Sequence, residues 1–282
     1  MARAAGAPTA ESPDAGVGGR ERTTPSPSAT AQKKKDDWAD PEFARAWDRA
    51  DVERTNPDRA RQVGLLVALV AERHAEAPGR TLLDLGSGSG LVEARLFAAA
   101  PDATVVGVDG SRAMIDLARE RLAPHGARFT CVHADLAELD LPRQLPPGAE
   151  VNCVFSSQTL HEVPHDVKRR VFRAVRGVLP PDGVFYILER YQLAGARFHA
   201  DLGSVWRRLN AAAGVADSMT FAEYLGDYLG RGYDHTCTLA EMTRWLEDAG
   251  FEVAVLYQNF NRALLSARPQ PPPAAAGGAA PP

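Results

Sequence analysis

The sequence predicts an α/β protein, a mostly parallel sheet with helices on both faces and one reversed strand. Three observations carry that prediction. Short apolar segments of strand length alternate with helical patterns over most of the chain. One of them, residues 81–85, runs directly into a turn with glycine at Gly86, Gly88 and Gly90. Near the C-terminus two strand-like segments are joined only through Gln258 to Asn261, a connection too short for parallel neighbours, so one of the pair must be reversed.

Thr81 to Gly90 reads T-L-L-D-L-G-S-G-S-G, an apolar strand handing its chain to a helix through a glycine turn. Without a Cβ at Gly86, Gly88 and Gly90 the turn can bend sharply and present its N–H groups to a bound molecule. A dinucleotide fingerprint would need glycine at position 91, where this chain has Leu91. The pattern is D-x-G-x-G-x-G instead, and Asp84 supplies negative charge where a pyrophosphate would need positive. A cationic ligand suits it better.

At these residues the chain resembles the class I S-adenosylmethionine-dependent methyltransferases, whose first motif has this form. The resemblance implies a Rossmann-like, seven-stranded sheet with one antiparallel strand and S-adenosyl-L-methionine as cofactor. It places Asp84, Gly86, Ser87, Gly88 and Gly90 in the cofactor turn. After a helix from about Leu91 to Ala99, the segment Ala103 to Asp109 is a buried strand ending in an acid that can accept the ribose hydroxyls. Gly110 and Ser111 then open a helix with Ser111 as N-cap, and Met114 one turn in offers an apolar contact for adenine or packs in the core. Arg128 to Leu136 is strand then turn. There Asp135 and Leu136 stand where the family reads the adenine edge; the alternative for Asp135 is a turn residue or helix cap.

Val151 to Ser157 is the fourth strand, with Ser156 near its end on the cofactor side, followed by Q-T-L-H-E-V-P from Gln158 to Pro164. The family commonly has an aspartate near the start of this strand; here it is Asn152. Val167, Val171, Val175 and Val178 recur at helical spacing, and Lys168, Arg169, Arg170, Arg173 and Arg176 read as the solvated face of that helix. Val184 to Leu188 is a strand closing on Glu189. Thr238 and Glu241 have capping-box spacing at the head of a helix through Ala249, which Gly250 ends. Glu252 to Tyr257 and Arg262 to Ser266 are the last two strands.

The 282 residues are 45% hydrophobic and 24% charged, which suffices for one sizeable core. Residues 37–268 are the expected domain. Residues 1–36 and 269–282, rich in Ala, Pro and Gly and without apolar period, are expected to be disordered tails. A net charge of -4 gives no general pull toward nucleic acid, and no apolar run reaches membrane-spanning length. Cys131, Cys153 and Cys237 have no metal-ligand spacing and do not suggest a disulfide framework, so no metal and a cytoplasmic location are expected. Oligomeric state is not legible.

Two regions should build the acceptor side. One is a helical N-terminal segment with Trp38, Phe43 and Trp47, followed by a second helix starting at Asn56 and Pro57. The other is the long insert of residues 190–237, with Tyr191, Phe198, Trp206, Phe221, Tyr224, Tyr228 and Tyr233. His161, His165, Glu189, Tyr191, His199 and His235 are possible proton acceptors. His161 follows the fourth strand at the carboxyl edge, where open α/β sheets hold ligands, and is the candidate base, the alternative being a histidine that fastens its loop. Glu162 reads as solvent-facing. The implied activity is methyl transfer to an oxygen, nitrogen or carbon of a small-molecule acceptor. Synthesis of a carboxylated S-adenosylmethionine, protein or RNA methylation, and non-catalytic binding of the cofactor are the alternatives.

Overall fold

The structure, a computed structural model, describes residues 38–49, 58–212, 220–222 and 234–271. Seven strands occur among them: β1 (Thr81–Leu85), β2 (Thr104–Asp109), β3 (Phe129–His133), β4 (Val151–Ser157), β5 (Val184–Arg190), β6 (Phe251–Asn259) and β7 (Arg262–Pro269). They form one sheet in the order β3-β2-β1-β4-β5-β7-β6. β7 runs antiparallel to both β5 and β6, and the pairs from β3 through β5 are parallel. β7 is therefore the reversed strand that the short connection required.

Strand alternation splits the core into two layers. Leu83, Leu85, Val154, Phe185 and Ile187 face one way and pack with Leu141 of the short α5 (Leu141–Gln144) and with Val167, Val171 and Val175 of α6 (His165–Val178). Met242, Trp245 and Leu246 of α8 (Leu239–Asp248) complete that layer. Leu82, Val105, Phe155 and Leu188 face the other way. They meet Val63, Leu66 and Val70 of α2 (Arg59–Glu76), and Val92, Leu96 and Phe97 of α3 (Leu91–Ala99). Each such buried side chain contributes roughly 1.5 to 3 kcal/mol relative to exposure. Because α3 and α6 lie on opposite faces, the carboxyl ends of β1 and β4 border the crevice in which open α/β sheets place ligands. Among the described residues no helix is long and apolar enough to cross a membrane.

Local signals act as their chemistry requires. Thr238 and Glu241 form both halves of a capping box, and Gly250 follows at φ 92°. Ser111 caps α4 (Arg112–Leu122), its hydroxyl accepting from the Met114 amide.

Two expectations need adjustment. Lys168 is not on the solvated face of α6: it is fully buried, and its ammonium donates to the His235 carbonyl. The neighbouring Val167 and Val171 turn inward, and a long side chain between them can reach a carbonyl that would otherwise be buried without a donor. The last strands also run longer than their apolar cores. Pro269 pairs with Phe251, and the Gln270 amide and side chain donate to the carbonyls of Gly250 and Phe251, so the ordered sheet extends past residue 268. Asp58 precedes α2 and accepts from Gln62 and Asn259. Asn56 and Pro57 lie outside the described residues, as do residues 1–36, 272–282, Tyr224, Tyr228 and Tyr233.

Candidate functional site

The turn after β1 is built from positive-φ glycines, with Gly86 at 85°, Gly88 at 54° and Gly90 at 76°. A Cβ on Gly86 would collide with the Thr159 side chain, whereas a Cβ on Gly88 would meet nothing within 4 Å. The loop is therefore closed beneath Gly86 and open over Gly88, as a cradle for a ligand must be. Asp109 at the end of β2 accepts from the Gly88 amide through Oδ2 at 2.8 Å and from the Ser111 amide through Oδ1 at 2.8 Å. Burial pushes its carboxyl up, opposed by those two amides. Each of its oxygens keeps a further lone pair.

Beneath the same loop, Asp84 is 1% exposed and Glu93, in the first turn of α3, is 0% exposed. None of their four carboxyl oxygens has a donor from another kind of residue. The two acids pair with each other; burial drives Asp84 well above the carboxylate range and Glu93 up to about 7. Such a pair can hold a proton between its two groups. A buried acid pair under an open glycine loop suits a cationic group and opposes a pyrophosphate.

The other predicted cofactor residues spread around this centre. Met114 is buried against Ala44 of α1 (Pro41–Arg49) and Trp38 and Trp47, so its side chain is used in helix packing. Gly110 follows Asp109, and its carbonyl lies 3.1 Å from the His133 ring. Asp135 caps the short turn Leu136–Glu138 through Ala137 N at 2.8 Å, and Leu136 is buried in the core. Ser156 is fully buried and donates to the Leu85 carbonyl at 2.8 Å, stapling β4 to β1. Ser87 is buried, with its hydroxyl 3.7 Å from Cys131 Sγ.

Helix α1 is locked over this edge. Asp48 receives two hydrogen bonds from Arg121 of α4, at 3.0 and 2.8 Å, and one from the Ser89 hydroxyl. The Ser111 hydroxyl donates to the Trp38 carbonyl, and the Trp38 indole donates to Glu162 at 2.8 Å. Glu162 is thus the joint between α1 and the loop after β4, rather than a purely solvent-facing residue.

On the opposite face of the sheet, His161 lies buried beside Glu189 at the end of β5. Its Nδ1 is 2.8 Å from Glu189 Oε1, and its backbone amide donates to Oε2 at 3.1 Å. A third donor, the Arg190 amide, reaches Oε1 at 2.7 Å. Burial, the largest single influence, would raise Glu189, but the His161 ring and these amides hold it below its ordinary value. A carboxylate can only accept, so the ring donates Nδ1–H and keeps the Nε2 lone pair available. His161 Nε2 lies 3.7 Å from Glu162. Ligand atoms of His161, Glu162 and Asp234 fall within 4.8 Å of one another, a grouping that could hold a cation, although Asp234 is paired with Arg190 at 2.6 Å.

From the sequence Glu189 stands at a strand end and among the possible proton acceptors, with nothing to mark it as the partner of His161. Its partnership with His161 joins residues 28 positions apart and becomes visible only when β4 and β5 are set side by side. The strained Gln158, at φ 57° between β4 and His161, also left no sequence signal. In the insert, Tyr191 belongs to the main core, Trp206 packs with Leu202, Leu193 and Phe221 on α7 (Ala196–Ala212) and its surroundings, and Phe198 is exposed.

A family model described as a methyltransferase domain matches residues 82–183. The chain is 36% identical over 111 residues to a demethylmenaquinone methyltransferase of Chlamydia pneumoniae, covering 39% of this chain and 44% of that protein. It is 32% identical over 187 residues to a ubiquinone/menaquinone biosynthesis C-methyltransferase of Acidiphilium cryptum, covering 65% and 70%. The match to the first of these thus spans less than half of that relative's length. The solved structure of an O-methyltransferase family protein from Burkholderia thailandensis superposes with a TM-score of 0.58 at 20% identity, over 85% of this chain and 64% of that one, a likeness of fold. With the glycine cradle, the strand-end acid and the single reversed strand in place, the chain belongs to the class I S-adenosylmethionine-dependent methyltransferases.

Proposed function

We propose that the protein moves a methyl group from S-adenosylmethionine to a small-molecule acceptor that loses a proton, with His161 as the base. The observation that carries this reading is the 2.8 Å contact between His161 Nδ1 and buried Glu189, which fixes the ring and leaves Nε2 to accept. Asp84, Gly86, Ser87, Gly88, Gly90, Asp109 and Gly110 are the residues that would hold the cofactor, with Met114, Asp135, Leu136 and Ser156 supporting them. The cofactor supplies an electrophilic methyl on a sulfonium centre. Asp109 would take the ribose hydroxyls on its remaining lone pairs, and the Gly88 edge would let the ligand approach the backbone.

The protein's part in transfer is alignment, water exclusion and proton removal. Alignment alone can be worth roughly 7 to 11 kcal/mol in favourable systems. A matched base adds about 10² to 10⁴ in rate. Helix α1, tied down through Asp48 and Trp38, and the segment carrying α7 are the parts that would cover the acceptor. An oxygen, nitrogen or acidic carbon acceptor all satisfy this chemistry.

The test is to supply methyl-labelled cofactor with a metabolite mixture and analyse the products by mass spectrometry. Label in a small molecule supports the reading. Label found only in protein or RNA, or none with cofactor bound, contradicts it.

A further inference from the structure

The sulfonium cofactor and its spent thioether product differ by one positive charge, and an efficient transferase must hold the first and release the second. The acid pair beneath the glycine loop has the properties of a sensor for that charge. Asp84 lies two residues before Gly86, Glu93 lies three after Gly90, and the whole loop is strung between them. Both side chains are buried to at least 99%, and neither has a basic or amide partner for its oxygens.

We propose that Glu93, acting with Asp84, is a specificity determinant that favours S-adenosylmethionine over S-adenosylhomocysteine by releasing the pair's proton to solvent when the cation binds. This rests on the cofactor reading above. Without ligand, two ionised carboxylates cannot share a dry site, so the pair keeps a proton. A positive charge held at the loop would relieve that penalty: one O–H bond breaks, the proton passes to buffer, and the second carboxylate is left ionised beneath the cation. The thioether product keeps the same α-ammonium but lacks the sulfonium charge, so on that account the proton would stay.

The surrounding groups leave this balance near neutral pH. Burial is the dominant influence on both acids, and Glu93 titrates at about 7. Asp109 at the end of β2 adds negative charge, Arg121 of α4 adds positive charge, and Cys131 of β3 faces the same space. Arg121 is already neutralised by Asp48 of α1. On α2, packed along α3, Arg73 is engaged by Glu76 and Asp182 and His74 by Asp102. The strands flanking Asp84 place Gly107 and Phe155 beside it, neither of which titrates. The N-terminal end of α3 stabilises one negative charge on the pair, which makes release of a single proton the accessible step.

Calorimetry of the full chain near pH 7, with each ligand titrated in two buffers of different ionisation enthalpy, counts the protons released. The proposal expects proton release with S-adenosylmethionine and little with S-adenosylhomocysteine. It further expects Glu93→Gln to abolish the difference and to narrow the affinity ratio of the two ligands by about tenfold, equivalent to ~1.4 kcal/mol. Equal proton release for both ligands by the native chain overturns the proposal whether or not the variant folds. Failure of both ligands to bind overturns the cofactor reading itself, and the proposal with it.

Discussion

Two buried acids stand at the carboxyl edge of this sheet, on opposite faces, and they behave in opposite ways. Glu189 is 1% exposed yet stays ionised, because three donors, one of them the His161 ring, converge on its two oxygens. Asp84 is equally buried, has only Glu93 for company, and is pushed toward the protonated form. Burial is therefore not what decides the charge of a carboxyl group here; the supply of donors is. The first arrangement is preorganised to keep a ring in one tautomer. The second stores an unfavourable interaction that a cationic ligand can relieve.

The largest expected effect breaks the first arrangement. His161→Ala should lower kcat by about 10² to 10⁴ while leaving cofactor affinity within about threefold, measured as turnover against S-adenosylhomocysteine binding. Turnover retained across the pH range would reduce His161 to a fastener of its loop. Glu189→Gln should retain the fold but lose the fixed tautomer, and its kcat should fall while KM for the cofactor holds.

The next effect concerns the cradle at the ends of β1 and β2. Asp109→Ala removes the acceptor for the Gly88 and Ser111 amides and, on the proposed reading, the one for the ribose. Loss of charged hydrogen bonds is worth about 1.5 to 3 kcal/mol, or roughly ten- to a hundredfold in affinity. Equal binding by a folded variant, read by calorimetry, would remove Asp109 from the site.

A smaller effect sharpens the second arrangement without any ligand. Glu93 is raised on folding, so the unfolded chain ionises first as pH rises and the folded state then loses stability. That penalty is absent below the ordinary carboxylate range, grows toward pH 7 and is flat above it. Glu93→Gln should accordingly stabilise the ligand-free protein by ~1 to 3 kcal/mol at pH 8 and by much less at pH 4. Thermal unfolding at the two pH values reads the difference. Glu189 has the opposite sign: its contribution is full above the ordinary carboxylate range and is lost as pH falls through its lowered value.

The smallest effect is at the periphery. A chain shortened to residues 35–271 should melt within a few degrees of the full one, whereas ending it at Arg268 should cost more, because Pro269 and Gln270 close the β6–β7 edge. Equal melting of the two shortened chains would show those contacts to be dispensable.

The same contrast explains what could be read in advance. The cofactor side is local in sequence: Asp84, the three glycines and Asp109 lie within 26 residues and carry strong backbone signals, positive φ above all. That one of the last two strands is reversed followed from their short connection; the strand order, and that β7 is the reversed one, became visible only in the folded sheet. The contacts around the loop after β4 are instead assembled from residues far apart in sequence, Trp38 with Glu162, His161 with Glu189, and Lys168 with His235. Periodicity could not place Lys168 inside, since a charged residue beside inward valines looks the same whether it snorkels or is buried on a carbonyl. Nor could it separate Tyr191, a core residue, from Phe198, an exposed one.

The central claim is that the glycine loop and its acids hold S-adenosylmethionine rather than a dinucleotide. Calorimetric titration of the native chain with S-adenosylhomocysteine and with NAD tests it most directly. The account predicts saturable binding of S-adenosylhomocysteine, weakened at least tenfold by Asp109→Ala, and no response to NAD. Binding of NAD with no response to S-adenosylhomocysteine would contradict it.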